Sequence, residues 1–274
     1  MKETAIANLS RKDVFLHPFP HVDIQNAISD TWHRQILAEL PSFNFLDETF
    51  HLSSKSQYTG YILDRKAIEN KLECPAIIEF IEVHSSKEFQ DQVLNIFDDC
   101  LDGHLPNHQK VELEPTEACI LLHHHNAPPR PPHLDDARDA CAFLYYLKPA
   151  HSNIQGGDLE LYRHRDNFHG FDRIQINEDR RPKRKHLMKA KTIPYESNRF
   201  VLFLDGINSI HGVSPTRFQG NDCRFVMTGG LRSKNGEKLY DPSDYLTRKD
   251  QILDKLGYQL QKVRRKIRRT IRFS

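Results

Sequence analysis

Long apolar runs, cysteine pairs and a leader-like start are missing from this chain of 274 residues. No stretch approaches the roughly 20 consecutive apolar residues that a membrane-spanning helix needs. The first residues, Met-Lys-Glu-Thr-Ala, lack the apolar core of a secretory signal. With 38% hydrophobic residues and a mean hydropathy of −0.64, the chain is expected to be a soluble, cytoplasmic protein.

Cysteine is scarce and scattered. The five cysteines are odd in number and form no Cys-x-x-Cys pair, which argues against a disulfide framework and against a thiolate zinc site. We expect them to be small core residues in a reducing compartment. They are Cys74, Cys100, Cys119, Cys141 and Cys223.

Acidic residues are absent from one strongly basic segment near the end of the chain. The formal net charge is only +2, but residues 262–272 carry seven basic residues and no acidic one, and residues 180–191 are also basic. Local patches of this kind favour an anionic partner more than the total charge does.

The first 110 residues predict supporting helices. Apolar residues recur at helical spacing over 24–40 and again over 75–101, where a polar break at Ser85 and Ser86 predicts two consecutive helices. Residues 46–65 give no decisive pattern.

From Val111 the spacing changes to that of strands. Strands are predicted at 111–122, 140–147, 158–162, 192–195, 199–204 and 224–231, with a proline-rich loop at 127–132 and a polar insertion at 163–191. The predicted fold is α+β, mainly β: a β-sandwich or jelly roll with helices packed on one face.

The last segment predicts a basic amphipathic helix over 249–274. Its apolar stripe could dock on the domain, and its charges could contact an anionic membrane surface or nucleic acid phosphates. The number of unpaired charges favours an anionic surface. The predicted division is therefore a domain over 1–248, with helical support at 1–110 and a β core at 111–232, followed by this helix.

One histidine-aspartate pattern predicts a metal site. His133 and Asp135 lie two residues apart, so on an extended segment their side chains leave the same face. His211 follows a distant apolar strand. Two imidazoles and one carboxylate on one side of a metal form the facial triad of non-heme Fe(II) oxygenases. Because the chain has 16 histidines, a His-x-Asp pattern alone is a weak motif. The order of the predicted strands around it makes the metal-site prediction more specific.

The order of these parts resembles the Fe(II)/2-oxoglutarate-dependent dioxygenases, in particular their prolyl-hydroxylase-like branch. The resemblance covers roughly 115–232 and includes Gly156-Gly157-Asp158-Leu159 and His211-Gly-Val-Ser-Pro215. It implies a double-stranded β-helix, Fe(II) bound by His133, Asp135 and His211, 2-oxoglutarate and O2 as cosubstrates, and ascorbate as a supporting reductant.

The same resemblance implies a cationic side chain that binds the far carboxylate of 2-oxoglutarate. The planar guanidinium of arginine can bind a carboxylate through two parallel hydrogen bonds. Arg224 opens a predicted strand thirteen residues after His211, whereas Arg217 lies in the preceding loop, so Arg224 is favoured. Tyr146 matches a tyrosine that hydrogen-bonds the same carboxylate in related hydroxylases, although a packed core tyrosine is nearly as good an interpretation. Alternation sends Tyr145 to the opposite face.

Three consecutive histidines, 123–125, end the first predicted strand of the core. Alternate strand side chains point apart, so the three cannot converge on one ion. The favoured interpretation is partly exposed polar residues, and the alternative is a strand-end role near the iron for one of them.

The predicted function is a dioxygenase that hydroxylates an unactivated C–H bond and releases succinate and CO2. The basic segments 180–191 and 262–272 favour a substrate that is anionic, linked to a glycan or lipid, or a protein. They also favour peripheral binding of the enzyme to the inner face of a membrane. No stable protein partner is inferred. The alternatives are a non-redox, cupin-like metalloenzyme and a non-catalytic module that binds membrane or nucleic acid.

Overall fold

The structure is a computed structural model. It describes residues 2–42, 45, 60–71, 73–124, 130–165, 171–173, 180–182, 184–220 and 222–241. These residues form four α-helices: α1 (Asp30–Ala38), α2 (Arg65–Lys71), α3 (Pro75–His84) and α4 (Lys87–His104). Short 3-10 turns occupy Arg11–Asp13, His108–Lys110 and Arg184–His186. The predicted C-terminal helix, 249–274, lies outside the described residues.

The described strands pair only in antiparallel fashion. They are β1 (His21–Gln25), β2 (Gly60–Leu63), β3 (Leu113–His124), β4 (Arg130–His133), β5 (Asp139–Leu147), β6 (Gln155–Gly156), β7 (Leu159–His164), β8 (Phe171–Arg173), β9 (Arg180–Pro182), β10 (Leu187–Ile193), β11 (Arg199–Leu204), β12 (His211–Val213), β13 (Thr216–Arg217) and β14 (Cys223–Ser233). One sheet has the order β1-β11-β5-β14-β3-β2 and another the order β10-β7-β12-β4. Two small sheets, β13-β6 and β8-β9, complete the set.

Alternation along β11 shows how the six-stranded sheet is buried on both faces. Phe200, Leu202 and Leu204 belong to the core that includes the helices, and Val201 and Phe203 belong to the core between the two large sheets. Successive strand side chains point to opposite faces, so one strand contributes to both cores. The predicted double-stranded β-helix with helices on one face is confirmed.

The N-terminal helices cover that outer face and end where the sequence indicates. Ser86 caps α4 because its hydroxyl accepts a hydrogen bond from the amide of Phe89 at 3.1 Å. The hydroxyl of Ser85 donates to the carbonyl of Thr116 and accepts from the amide of Ala118, which ties the break between α3 and α4 to β3. The predicted break at these two serines is confirmed.

Three local predictions were wrong. The helix expected from Ile24 begins at Asp30, because Ile24 lies in β1 and pairs with Phe200 of β11. Residues 130–132 are part of β4 rather than a loop; β4 is an edge strand, where prolines are tolerated because no ladder donor is needed on the outer side. The strand expected at 192–195 is β10, which begins at Leu187 and pairs with β7.

Among the described helices, none is long and apolar enough to cross a membrane. All five cysteines are free thiols.

Candidate metal centre and cosubstrate cavity

The three predicted metal ligands converge in the four-stranded sheet. His133 ends β4 and His211 begins β12, and these two residues are paired across the antiparallel strands. Their ring centroids lie 4.3 Å apart. Asp135 follows His133 and places one carboxylate oxygen 3.4 Å from Nε2 of His133 and the other 3.4 Å from Nε2 of His211. One ligand atom from each residue lies within 4.8 Å of the others.

Backbone carbonyls orient both imidazoles. Nδ1 of His133 is 2.9 Å from the carbonyl oxygen of Pro131, and Nδ1 of His211 is 3.0 Å from that of Ser209. A carbonyl only accepts hydrogen bonds, so each neutral ring carries its proton on Nδ1 and keeps the Nε2 lone pair for a ligand.

The surroundings keep His133 and Asp135 in the protonation states that bind a metal. The buried position of His133 lowers its pKa to about 4, so the ring is neutral at neutral pH. Burial opposes the charge of Asp135, but the adjacent His211 and His133 outweigh burial and hold the pKa of Asp135 well below its usual range. The neutral Nε2 of His133 therefore lies beside the Asp135 carboxylate and Nε2 of His211, and it has no hydrogen-bond partner among the described residues. This set fits a divalent metal with open coordination positions.

A cavity of about 130 Å³ joins the ligand cluster to Arg224. Its wall is mainly apolar, which suits a site that excludes water around a few polar contacts. Its described lining is Leu121, His123, Arg130, Asp135, Ala142, Leu144, Leu159, Phe203, His211, Val213, Thr216, Arg224, Val226 and Thr228.

Arg224 is a buried cation in this lining. It lies near the start of β14, is only 3% exposed, and donates from Nε and Nη2 to the carbonyl oxygen of Gly157 at 3.0 and 2.6 Å. Among the described residues no carboxylate lies within ion-pairing distance of its guanidinium. Gly157 must be glycine here: its φ is +74°, and a Cβ atom would lie 2.6 Å from Nε of Arg224.

The rival arginine is placed elsewhere. Arg217 lies in β13 opposite Gln155, is exposed, and is not in the described lining of the cavity.

Tyr146 lies beside Arg224 but not in the described cavity lining. Its ring centroid is 5.7 Å from the Arg224 guanidinium carbon, and its buried hydroxyl has no hydrogen-bond partner among the described residues. Burial raises the pKa of this phenol, which is therefore a neutral donor. Tyr145 points to the opposite face and contacts Nδ1 of His33 at 2.6 Å, as alternation predicts.

His123 is the residue whose place near the site the sequence did not favour. It pairs with Arg224 across β3 and β14, lines the cavity, and has Nδ1 3.5 Å from Nη1 of Arg224. Burial, with Arg224 as the next cause, lowers the pKa of His123 to about 4. Only the strand register identifies it among three consecutive histidines; His125 lies outside the described residues.

Comparison with known proteins identifies a family domain within the chain. Residues 118–232 match the family model described as the 2OG-Fe(II) oxygenase superfamily. No curated protein matches. The chain is similar to the crystal structure of a Pseudomonas putida prolyl-4-hydroxylase (15% identity, 78% of this chain and 92% of that chain, TM-score 0.45). It is also similar to prolyl 4-hydroxylases from Phytophthora capsici (19% identity, 89% and 68%, TM-score 0.48).

The match confirms the predicted superfamily for residues 118–232. Oxygenases of this superfamily use Fe(II), 2-oxoglutarate and dioxygen, so these are the cofactor and cosubstrates of the domain.

Proposed function

We propose that this chain, whose residues 118–232 form a domain of the 2OG-Fe(II) oxygenase superfamily, is a hydroxylase that binds its metal through His133, Asp135 and His211. The carrying observation is that the carboxylate of Asp135 lies 3.4 Å from the Nε2 atoms of both His133 and His211, with both rings fixed through Nδ1. A divalent cation would satisfy the buried Nε2 of His133, which has no hydrogen-bond partner among the described residues, together with the carboxylate of Asp135.

Arg224 is proposed to hold the far carboxylate of 2-oxoglutarate. A buried guanidinium needs an anionic partner, and the described residues offer none. The carbonyl of Gly157 fixes the side chain through Nε and Nη2, which leaves donors on the terminal nitrogens for a carboxylate. The neutral hydroxyl of Tyr146, whose ring centroid lies 5.7 Å from the Arg224 guanidinium carbon, is a second candidate donor.

The chain's residues then have separable roles. His133, Asp135 and His211 hold the metal, Arg224 orients the cosubstrate, and Leu144, Leu159, Phe203 and Val226 keep water from the cavity. Bound Fe(II) and 2-oxoglutarate supply the oxidising chemistry with O2. In the proposed reaction one oxygen atom of O2 enters the new hydroxyl group of the substrate, the other enters succinate, and CO2 is released.

The prime substrate is proposed to be anionic, as a glycan-linked or lipid-linked molecule or a protein. Support comes from exposed basic residues of the 180–191 segment, including Arg184, Lys185 and Lys189. Lys189 is partly balanced by Glu160 at 3.0 Å, so Arg184 and Lys185 are the stronger candidates. Contact with an anionic membrane surface through 262–272 remains a proposal on residues outside the described ranges.

Metal and cosubstrate binding test these assignments directly. Isothermal titration calorimetry under anaerobic conditions should show Fe(II) binding, followed by 2-oxoglutarate binding that depends on the metal. Asp135→Ala should abolish both. Asp136→Ala is the matched control, because Asp136 pairs with Arg138 and is not among the converging ligands. Equal Fe(II) affinity in wild type and Asp135→Ala would overturn the proposed ligand set.

A further inference from the structure

We propose that Arg130 binds an oxyanion group, phosphate or carboxylate, of the prime substrate at the cavity. The inference rests on the proposed function, because it assigns a role relative to the proposed metal and 2-oxoglutarate sites. It narrows the substrate from an unspecified anion to one whose anionic group lies near the reacting carbon.

The placement of Arg130 suits a substrate contact. It begins β4, three residues before His133, and lines the same cavity as Asp135, His211 and Arg224. Unlike the buried Arg224, its side chain is 51% exposed. An incoming molecule can therefore reach its guanidinium from solvent.

When a divalent metal and 2-oxoglutarate are bound, no anion in the described cavity lining is left to balance the charge of Arg130. Asp135 is the one acidic side chain in the described lining, which also carries two arginines. A divalent metal and Arg224 together balance Asp135 and the two carboxylates of 2-oxoglutarate. The positive charge of Arg130 then remains at the cavity, where an arginine fork favours phosphate or carboxylate.

A second basic group lies along the same side of the fold. Strand β9 (Arg180–Pro182) contacts β4, and the turn that follows presents exposed Arg184 and Lys185. A substrate with more than one anionic group could extend from Arg130 toward these residues. The wrongly predicted loop at 130–132 matters here, because the strand fixes Arg130 relative to His133.

The competing role for Arg130 is to position Asp135. Nη2 of Arg130 is 3.5 Å from Oδ1 of Asp135, well beyond the 2.7–2.9 Å or so of a charge-assisted hydrogen bond. The contact is too long, and the side chain too exposed, to orient the carboxylate strongly. Positioning predicts a loss of metal affinity on substitution, whereas substrate binding predicts a loss of anion affinity alone.

The test uses inorganic phosphate as the probe and Mn(II) as a paramagnetic replacement for Fe(II). Binding of Mn(II) to the full chain is measured first by electron paramagnetic resonance, and 2-oxoglutarate is then added to saturation. Phosphorus-31 relaxation of added phosphate reports whether phosphate binds close to the metal. Arg130→Gln, Arg130→Lys and the exposed control Arg217→Gln are compared with wild type.

We expect enhanced phosphate relaxation in wild type and Arg217→Gln, with Mn(II) affinity equal in all four proteins. Arg130→Gln should weaken phosphate binding by about tenfold or more, the loss expected for a charge-assisted contact, and Arg130→Lys should retain part of it.

Several results would overturn the assignment. Full relaxation in Arg130→Gln would mean that phosphate binds the metal itself. A parallel loss of Mn(II) affinity would make Arg130 a positioning residue. If wild type binds Mn(II) and 2-oxoglutarate but relaxes no phosphate, only the role of Arg130 fails; if it binds no Mn(II), the proposed function fails and this role with it.

Discussion

At the scale of single residues, Arg224 gives the strongest argument for a bound anion, because its guanidinium is buried and no described carboxylate balances its charge. A buried charge without a counter-ion destabilises a protein, which is why Arg224 is proposed to bind an anionic ligand. The carbonyl of Gly157 accepts hydrogen bonds from two of the guanidinium nitrogens, but it carries no charge. The positive charge of Arg224 is therefore not balanced among the described residues.

Substitution of Arg224 should separate cosubstrate binding from stability. Arg224→Met is expected to weaken 2-oxoglutarate binding by roughly tenfold to a hundredfold, the range for losing a charged hydrogen-bond partner. The unfolding free energy of the ligand-free protein should not fall, because an uncompensated buried charge is removed. Calorimetric titration and urea denaturation give the two quantities, with Arg217→Met as control. Unchanged affinity in Arg224→Met would remove it from the site.

The burial of His84 predicts a pH dependence of stability that does not involve the metal. The ring is fully buried, accepts a hydrogen bond from the amide of Ala5, and donates to the carbonyl of Phe80, both at 2.9 Å. Burial lowers its pKa to about 4, from an ordinary value of 6.5. Between these values the unfolded chain binds more protons than the folded one, so the stability contributed by neutral His84 is present above pH 6.5 and is lost as pH falls toward 4.

The expected loss is roughly 3 kcal/mol across that window, at about 1.4 kcal/mol per pKa unit. Urea denaturation at pH 7 and pH 5, with chelator present, should show a smaller pH dependence in His84→Gln than in wild type. Identical pH dependence in the two proteins would show that His84 is protonated without cost in the fold.

At the scale of elements, the turn between β6 and β7 positions Arg224, the proposed cosubstrate anchor. Gly157 lies there in the left-handed region and allows Arg224 to approach its backbone. A side chain at this point would displace the guanidinium before any substrate is bound.

Paired glycine substitutions test this role of the turn. Gly157→Ala and Gly236→Ala carry the same conformational penalty, since their φ angles are +74° and +73°, but a Cβ at Gly236 meets nothing within 4 Å. Both should lower the unfolding free energy by about 1 kcal/mol, and only Gly157→Ala should also weaken 2-oxoglutarate binding. If both variants bind 2-oxoglutarate equally well, the close approach to Arg224 has no functional consequence.

Strands were predictable from sequence where both faces are buried and the ends are marked. β11 begins after Asn198, whose φ is +56°, and its run of apolar residues gives the predicted bounds. β10 was not predictable in full because its first half carries exposed Lys189 and pairs with β7 on one side only. β4 was missed because prolines exclude a central strand but not an edge strand.

At the scale of the whole molecule, two stacked sheets bring distant segments to one site. The proposed metal ligands lie in or directly after strands of the four-stranded sheet, whereas Arg224 lies in the six-stranded sheet. The cavity between them is lined from both sheets by residues such as Leu159 and Val226. In the proposed function, the metal ligands and the cosubstrate anchor would therefore lie on two different sheets.

Sequence reasoning placed the three proposed ligands on converging segments but did not place their neighbours in the cavity. His133 and Asp135 were identifiable because a two-residue spacing places both on one face, and His211 because it follows an isolated apolar strand. His123 and Arg130 required the register of β3 with β14 and of β4 with β12, which depends on long-range pairing. Spacing along one strand carries no information about that register.

The most direct measurement of the central claim is succinate formation from 2-oxoglutarate, with Fe(II) and ascorbate under air and no added prime substrate. Wild type is compared with Asp135→Ala and with the control Asp136→Ala. We predict slow turnover in wild type and the control and none in Asp135→Ala. Equal turnover in all three proteins, or none in wild type together with no metal-dependent binding of 2-oxoglutarate, would contradict the proposed site.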